Sequence, residues 1–494
     1  MSLLIDALGR NAHGHAHAIA ISDGRTDITW ASLQQQVTAL ANSLGDASCL
    51  AILMDNSPAW VISDLAAIVS GVTCVPIPPF FSAEQISHSL ADAAVDTVVT
   101  DSPERLADLV PVADQESIEI AGQQLSLLKI ASAANPRHEN ITQITYTSGT
   151  TGSPKGVPLS LDRIESVAMA LCSAVDGRET DRALAILPLS TLLENIGSVY
   201  VPMLAGATML VPSPKALGIQ GSSKLDAGKL SRTLLELEPG SVILTPELLK
   251  LFVGLAAKEL LPKSLRFIAV GGAPVSSSLL AAAQKLGLPV FQGYGLSEAG
   301  SVVALNIPAA NRIGSVGKAL NHYQVKTTED GEVLIKGTGF PGYLHGSDAE
   351  PAAWLATGDL GYLDEEGYLF INGRKRHVII NSFGRNISPE WVESEMLGEP
   401  VISQIAVFGN NRPYLTAVIT PSESATSQDI LTALARVNRR LPDYARVRGH
   451  VAGNGFDPLQ NEVTPNGRPR HEKIQQNYQA RLQQLYEVQN EHVL

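Results

Sequence analysis

The sequence predicts an α/β protein with a large, multi-lobed N-terminal domain and a small α+β C-terminal domain. Short β-rich runs alternate with helical patterns up to about residue 360 of the 494-residue chain. Such alternation is typical of parallel or mixed sheets covered by helices. After the charged stretch Gly373–His377, about 120 residues follow with strands and helices of their own. We therefore predict one domain over residues 1–374 and a second over residues 375–494.

The predicted elements of the first domain follow in chain order. Its helical patterns are Trp30–Leu44 and Pro58–Ser70, and its early strands are Cys49–Met54, Thr73–Ile77 and Asp96–Thr100. Further strands, each close to a helical segment, are predicted at Ala183–Leu187, Ala207–Val211, Val242–Thr245 and Arg266–Gly271. Residues Gly361–Ile371 predict two short strands around an acidic glycine turn.

The second domain has its own pattern, with no repeat and no long linker before it. Strands are predicted at Ile405–Phe408 and Leu415–Ile419, and helices at Gln428–Arg440 and His471–Val488. This mixture of elements is typical of a small α+β domain.

Composition excludes several classes of protein. With 45% hydrophobic and 17% charged residues, the chain can bury a core and is not disordered or fibrous. Its 36 basic and 49 acidic residues give a net charge of −13, which disfavours non-specific binding to nucleic acid or anionic membranes. A local basic pocket for a phosphorylated ligand stays compatible with this charge.

The sequence also bears on location. Cys49, Cys74 and Cys172 match no metal spacing and indicate free thiols in a reducing compartment. The N-terminus lacks the pattern of a signal peptide. The apolar stretch Val61–Ile77 contains Asp64, which favours a buried helix and strand over a membrane span. We expect a cytoplasmic protein without an integral membrane segment.

A histidine-rich segment near the N-terminus, His13-Gly14-His15-Ala16-His17, is a possible metal site. We place it in a loop, where no carboxylate or cysteine partner is evident. A solvated loop is therefore favoured over a metal site.

The strongest motif is the segment Tyr146–Val157, which reads YTSGTTGSPKGV. Its glycines allow the backbone to approach a ligand closely, its hydroxyls add hydrogen-bond donors, and Lys155 adds a positive charge. This combination suits a polyphosphate. The segment is not a Walker A loop, because Gly156 follows the lysine where that motif has serine or threonine.

The string resembles the phosphate-binding signature of the adenylate-forming, AMP-binding superfamily, and further motifs extend this resemblance over nearly the whole chain. These motifs are Gln292–Glu298, Thr357–Gly361, Gly373–Arg376, Gly384–Glu390 and Thr464–Arg468. The chain is most similar to acyl-CoA synthetases, and closest to the long-chain fatty-acid–CoA ligase branch.

The resemblance implies roles for individual residues. Lys155, Glu298 and Arg468 would be catalytic, and Thr147 and Glu298 would hold Mg²⁺, which prefers oxygen ligands. Tyr294 would stack on adenine, and Asp359 would accept hydrogen bonds from the ribose hydroxyls. The implied nucleotide site consists of Thr147, Ser148, Gly149, Thr150, Thr151, Gly152, Lys155, Gly272, Tyr294, Gly295, Ser297, Asp359 and Arg374.

The resemblance also implies the reaction. A carboxylate would attack the α-phosphate of ATP, release pyrophosphate and form an acyl-AMP, and a thiol would then accept the acyl group. The C-terminal domain would turn about a hinge at Lys375 and Arg376 between the two steps. It would present Arg468 in the first step and the thiol-acceptor loop with Gly384, Arg385 and Asn386 in the second.

Three departures from the family pattern concern the hinge, the C-terminal cation and the acid site. Arg376 and His377 stand where the family usually has other residues, and Arg468 stands where a lysine is usual. Arginine keeps the charge, but its planar fork is not equivalent to an ammonium. Ser190-Thr191 stands where many relatives have an aromatic residue or histidine.

The acid is indicated by Leu187–Asn195, which resembles the Leu-Pro-Leu-x-x-x-x-Glu pattern of long-chain acyl-CoA synthetases. It favours a medium- to long-chain fatty acid, although a core helix with a capping glutamate has the same pattern. We expect CoA as the acceptor, and because no carrier domain follows in the sequence, a carrier protein would have to be a separate chain. A separate carrier protein, with its phosphopantetheine, is the alternative, and a binding protein without turnover is another.

Overall fold

The computed structural model describes residues 2–131, 138–147, 154–220, 224–346, 353–423, 425–457, 460, 462–463 and 469–490. The helices are α1 (Leu3–Gly14), α2 (Trp30–Leu44), α3 (Pro58–Ser70), α4 (Ala83–Asp92), α5 (Leu161–Ala174), α6 (Leu192–Asn195), α7 (Val201–Ala205), α8 (Ala227–Leu237), α9 (Pro246–Ala256), α10 (Ser277–Lys285), α11 (Pro389–Leu397), α12 (Ser427–Asn438) and α13 (His471–Asn490).

The strands up to residue 305 are β1 (Ile19–Ser22), β2 (Asp27–Thr29), β3 (Cys49–Leu53), β4 (Thr73–Pro76), β5 (Thr97–Thr100), β6 (Val112–Ile120), β7 (Gln123–Ile130), β8 (Gln143–Thr147), β9 (Lys155–Leu159), β10 (Arg182–Leu184), β11 (Thr208–Leu210), β12 (Ile219–Gln220), β13 (Lys224–Leu225), β14 (Ser241–Leu244), β15 (Phe267–Val270), β16 (Val290–Tyr294) and β17 (Ala304–Leu305). The later strands are β18 (Lys318–Ala319), β19 (Gln324–Thr327), β20 (Glu332–Lys336), β21 (Leu355–Leu363), β22 (Leu369–Arg374), β23 (Ile379–Ile380), β24 (Asn386–Ile387), β25 (Ile402–Phe408), β26 (Leu415–Pro421) and β27 (Val447–Ala452).

The large N-terminal region is built on two mixed sheets. Within the described ranges, one sheet has the order β6-β7-β5-β3-β4-β8-β9 and the other β18-β17-β16-β15-β14-β10-β11-β1-β2. Their central strands are parallel, as in the pairs β3 with β4 and β14 with β15. A third sheet, β19-β20-β21-β22, is antiparallel and leads into the C-terminal region. The predicted α/β class is confirmed.

Helix α3 illustrates how closely the local sequence sets an element. Ser57 caps the helix by accepting a hydrogen bond from the Trp60 amide, Pro58 occupies the first turn, and Gly71 ends the helix in a left-handed conformation. The predicted bounds of α3, Pro58–Ser70, are those observed. Among the described residues no helix is long and apolar enough to cross a bilayer.

Asp64, the charged residue in this apolar helix, is fully buried. Its Oδ2 accepts hydrogen bonds from the Tyr200 hydroxyl at 2.8 Å and from Asn195 Nδ2 at 3.1 Å. Burial raises the pKa of Asp64 to about 6, and these hydrogen bonds oppose that shift. The aspartate is therefore a buried link between α3 and the 192–205 helical segment.

The predicted loop at His13–His17 is wrong for His13 and Gly14, which end helix α1 (Leu3–Gly14), and is confirmed for His15–His17, which follow the helix. Ser2 caps its N-terminus, and Leu4, Ala7 and Leu8 are buried along one face. His15 follows as the C-cap and lies 3.4 Å from Glu179 Oε1, a carboxylate distant in sequence. The hairpin β6–β7 was also not predicted, because β6 is largely exposed and lacks apolar alternation.

The C-terminal region combines the sheet β25-β26-β27 with helices α11, α12 and α13. Val392, Ile405 and Val437 belong to its core, which in the described chain has no member before Ile379. This is the α+β arrangement that the sequence predicted. The domain boundary at residue 374 stays a prediction, and so does the mobility of the domain.

Lys250 on α9 holds the C-terminal region against the N-terminal region. Its ammonium donates to the carbonyl oxygens of Leu397 and Glu399, both at 3.1 Å, at the C-terminal end of α11. Nearby, Glu395 Oε1 accepts a hydrogen bond from the Ser277 amide at 3.1 Å. Burial lowers the pKa of Lys250, and cations favour helix C-termini.

We expect Lys250→Met to loosen this contact by about 1–3 kcal/mol, because it removes a charged donor from partly buried carbonyl groups. Amide hydrogen exchange of α11 measures the effect and should become faster. Lys258→Met, at an exposed lysine beyond α9, is the control. Unchanged exchange in the Lys250 variant would contradict this role.

His471 and Glu393 form a partly buried ion pair in the C-terminal region. The ring Nε2 lies 2.6 Å from Glu393 Oε1, and the His377 ring centroid is 5.8 Å away. Burial by itself lowers the pKa of His471, but the carboxylates of Glu393 and Glu390 raise it to about 8. The pair ties the start of α13 to α11.

Because the folded-state pKa of His471 exceeds its ordinary value of 6.5, the pair stabilises the fold fully below pH 6.5. This stability is lost as the pH rises through about 8, and the change is at most about 2 kcal/mol. Urea denaturation across this range measures it. His471→Gln should flatten the pH dependence, and an equal slope in both proteins would count against the pair.

Candidate active site

The phosphate-loop motif lies between two paired strands. In the β8–β9 hairpin Thr147 is opposite Lys155, and the Thr147 hydroxyl is 3.5 Å from the Lys155 carbonyl oxygen. The predicted phosphate ligands Ser148, Gly149, Thr150, Thr151 and Gly152 lie outside the described residues. The structure therefore fixes the two ends of the predicted loop.

Glu298 and Lys155 both contact Tyr343, a residue that the sequence analysis did not select. The Tyr343 hydroxyl donates to Glu298 Oε1 at 2.6 Å, and the Lys155 ammonium is 5.0 Å from the centroid of the Tyr343 ring. The structure thus places the predicted phosphate-binding lysine and the predicted metal-binding carboxylate against one aromatic side chain.

Tyr294, Asp359 and Arg374 form a second cluster. The Tyr294 hydroxyl donates to Asp359 Oδ2 at 2.6 Å, and Arg374 Nε lies 2.7 Å from Asp359 Oδ1. Burial and the neighbouring carboxylate raise the pKa of Tyr294 well above its ordinary value, so the phenol stays a donor. A carboxylate has about four acceptor positions, so these contacts are compatible with the predicted ribose hydrogen bonds.

The backbone after Tyr294 has room only for glycine. A Cβ added to Gly295 would lie 1.5 Å from the Ser301 carbonyl oxygen. The chain then turns through Ser297–Ala299, which carries Glu298. The predicted Gly272 lies in the loop after the neighbouring strand β15, where a Cβ added to Gly271 would lie 3.3 Å from the Gly293 carbonyl oxygen.

The predicted hinge residues follow β22 in a single turn, Lys375–His377, and Lys375 and Arg376 are exposed. The Lys375 ammonium pairs with Asp330 Oδ2 at 2.7 Å and Glu332 Oε2 at 2.8 Å. These hydrogen bonds raise the pKa of Lys375. In this arrangement the side chain of Lys375 is anchored to the N-terminal region.

The predicted thiol-acceptor loop is the hairpin β23–β24. Asn381, buried at its base, accepts hydrogen bonds from the amides of Phe383 and Arg385 at 3.0 and 2.9 Å. Gly384 and Arg385 are at the turn, and Asn386 begins β24. Phe383 is 74% exposed at the tip. Sequence reasoning did not identify Asn381, because a single asparagine before a turn carries no distinctive signal.

Two further predicted residues are Glu194 and Arg468. The structure gives Glu194 a structural role. Glu194, the glutamate of the Leu-Pro-Leu pattern, is fully buried, and its Oε1 accepts hydrogen bonds from the Ile186 amide and the Ser198 hydroxyl. Burial raises its pKa to about 8. It holds the segment that follows β10 and does not project from the protein. Arg468 lies outside the described residues.

Comparison with known proteins identifies the family. Residues 8–346 match the AMP-binding enzyme family, and residues 376–490 match the AMP-binding enzyme C-terminal domain. The chain belongs to the AMP-binding enzyme family. It is, as predicted from the sequence, an AMP-forming acid–thiol ligase.

The similar proteins are acyl-CoA ligases with different acids in their names. The long-chain-fatty-acid–CoA ligase FadD15 of Mycobacterium bovis is 30% identical, over 80% of this chain and 77% of the relative. The 2-succinylbenzoate–CoA ligase of Bacillus velezensis is 29% identical, over 80% and 81%. These relatives support the ligase class, but they do not indicate which acid is the substrate.

Solved structures share the fold. The anthranilate CoA ligase AuaEII, in complex with anthranoyl-AMP, superposes with a TM-score of 0.79 at 21% identity over 97% of both chains. The o-succinylbenzoate CoA synthetase of Bacillus subtilis, in complex with ATP and magnesium ion, gives 0.73 at 22% identity, over 94% and 98%. The predicted two-domain α/β architecture of this AMP-binding enzyme is thus confirmed.

We expect Gly295→Ala to destabilise the turn that carries Glu298 and to lower ATP binding, because the added methyl group overlaps the Ser301 carbonyl. Thermal unfolding and nucleotide titration measure the two effects. Gly254→Ala is the control, since that glycine lies within α9 and its added Cβ has no neighbour within 4 Å. The control should be neutral or stabilised by up to about 1 kcal/mol.

We expect Asp359→Asn to reduce acid-dependent exchange of pyrophosphate into ATP by roughly 10- to 100-fold, the equivalent of losing one hydrogen bond to a charged group. The Michaelis constant for the acid should change little, because Asp359 is predicted to contact ribose. Exchange at the wild-type rate would refute the predicted ribose contact.

Proposed function

We propose that this ligase activates a medium- to long-chain fatty acid with ATP and transfers it to CoA. In the first step a carboxylate oxygen bonds to the α-phosphorus and pyrophosphate leaves. In the second the CoA sulfur bonds to the acyl carbon and AMP leaves.

The observation that carries the adenylation step is the Tyr294–Asp359–Arg374 cluster beside the turn with Glu298. It combines an aromatic face, a buried acceptor and a cation, which match adenine, ribose and phosphate. Glu298 and Lys155 add a carboxylate and an ammonium where a polyphosphate would extend. Such groups promote phosphoryl chemistry by positioning and by neutralising charge.

The residues at Glu298 fit Mg²⁺. Its carboxylate is partly exposed, and the Tyr343 hydrogen bond engages Oε1, so that Oε2 provides a hard oxygen donor. Thr147 would be the second protein ligand, and the ATP phosphates would supply further oxygens. When bound, the cation would neutralise charge on the leaving pyrophosphate.

The proposal of a fatty acid rests on the Leu-Pro-Leu pattern, whose segment Leu187–Thr191 follows β10. Leu189 is buried, and Asn56 holds the segment by donating to the Leu187 carbonyl oxygen and accepting from the Leu189 amide. The neighbouring Glu194 is directed at backbone and Ser198, so it is not placed to bind a substrate ammonium. FadD15, named for long-chain acids, is among the relatives.

An aromatic acid is the second candidate, because relatives of nearly equal identity are named 2-succinylbenzoate–CoA ligases. Ser190 and Thr191 stand where many relatives have bulkier residues, and the Ser190 hydroxyl is buried without a hydrogen-bond partner among the described residues. That unused hydroxyl would suit a polar substituent better than an alkyl chain.

The test is pyrophosphate release with ATP, Mg²⁺ and panels of fatty, aryl and amino acids, with and without CoA. Fatty-acid-dependent release that becomes multiple-turnover with CoA is expected. Preference for an aryl acid would overturn the proposed substrate, and a single turnover despite CoA would indicate a carrier protein as acceptor.

Lys155→Ala removes the ammonium at the predicted phosphate site and should therefore weaken the use of ATP in the same assay. Arg468→Lys should retain or raise pyrophosphate release, whereas Arg468→Ala should lower it. Equal rates in all three Arg468 proteins would place the adenylation cation elsewhere. No release with any acid would favour a binding protein without turnover.

A further inference from the structure

Tyr343 contacts two groups that the proposed function directs at Mg·ATP. We propose that Tyr343 is a positioning residue whose hydroxyl orients Glu298 toward the metal and whose ring keeps Lys155 and Glu298 apart. This inference rests on the proposed function, because it assigns a role to Tyr343 at the same site.

The hydroxyl is placed to orient the carboxylate. It donates to Glu298 Oε1 at 2.6 Å, a short distance typical of a hydrogen bond to an ionised acceptor. This contact restrains the carboxylate through Oε1 and does not engage Oε2, which the proposal assigns to the cation. Carboxylates that ligate metals are commonly held by such hydrogen bonds, and their loss often costs 10- to 100-fold in metal affinity.

The ring has a separate role. The Lys155 ammonium lies 5.0 Å from its centroid, which is within the range of a cation–π interaction. Within the described chain Lys155 and Glu298 form no ion pair within 4.0 Å. A direct pair would use the charges that a polyphosphate and a cation need. Tyr343 gives each group its own partner and so leaves both charges available.

Contacts of neighbouring residues hold Tyr343 in this position. The amide of the next residue, Leu344, donates to the Gly156 carbonyl oxygen at 2.9 Å, which ties the segment to the residue after Lys155. His345 Nε2 lies 2.8 Å from the Asp92 carbonyl oxygen, and the Phe340 ring packs edge-on to Tyr343 at 5.3 Å. The segment of the tyrosine is therefore linked directly to β9 and to the end of the phosphate-loop motif.

The two contacts can be separated by substitution. Tyr343→Phe removes the hydroxyl and keeps the ring beside Lys155, whereas Tyr343→Leu removes both. Tyr362→Phe is the matched control, because Tyr362 is comparably exposed (48% against 37%) and its ring stacks on Phe370 at 4.7 Å. Thermal unfolding verifies that all variants fold.

The measurement is calorimetric titration of the full chain with α,β-methylene-ATP, in Mg²⁺ and in EDTA. We expect Mg²⁺ to strengthen nucleotide binding by the wild-type chain. In Tyr343→Phe the enhancement of nucleotide affinity by Mg²⁺ should be roughly tenfold smaller than in the wild-type chain, and the affinity in EDTA should change by less than about twofold. Tyr343→Leu should also bind more weakly in EDTA. The control should match the wild-type chain.

Wild-type enhancement by Mg²⁺ in Tyr343→Phe would overturn the positioning role and leave the proposed function intact. A similar loss in both titrations would mean that the hydroxyl acts on the fold and not on the metal, which also overturns it. If the wild-type chain does not bind the nucleotide, the proposed function fails, and the inference fails with it.

Discussion

The site depends on one buried carboxylate. Asp359 is 4% exposed, and an ionised group at such a depth is stable only when charges and hydrogen bonds compensate for its lost hydration. Tyr294 and Arg374 supply both. Tyr294 ends a strand of the nine-stranded sheet, whereas Asp359 and Arg374 are register partners in the antiparallel sheet. The carboxylate therefore joins two sheets at the place where a nucleotide is proposed to bind.

The same contacts lie next to the predicted hinge. Arg374 is the last residue of β22, and Lys375 begins the turn toward the C-terminal region. Gly373 lies so close to Ser388 that a Cβ would be 2.1 Å from the Ser388 hydroxyl oxygen, and its φ of +144° favours glycine. Arg374, which holds Asp359, is thus next to Gly373, which lies against the residue that caps α11. The predicted movement of the C-terminal domain would therefore change the surroundings of Asp359.

Charge is distributed unevenly around these contacts. The chain has a net charge of −13, yet Lys155, Arg374, Lys375 and Arg376 lie near the proposed phosphate site or the hinge. Lys375 is paired with Asp330 and Glu332, while Lys155 faces an aromatic ring. The lysine at the predicted hinge is therefore neutralised by carboxylates, whereas the lysine at the predicted phosphate site keeps its charge available. A global acidic charge and a local anion site are compatible because the field of exposed charges is screened over about 10 Å.

The sequence by itself determined the α/β class, the elements with strong local signals such as α3, and the family, because motifs with fixed spacing persist along the chain. It also indicated Tyr294, Glu298 and Asp359 as site residues. Only the tertiary structure decided that Tyr294 binds Asp359, that Tyr343 joins Lys155 to Glu298, and that Lys250 caps α11. These contacts link residues 45 to 188 positions apart, and local sequence carries no record of which distant side chains the packing of separate sheets and helices will bring together.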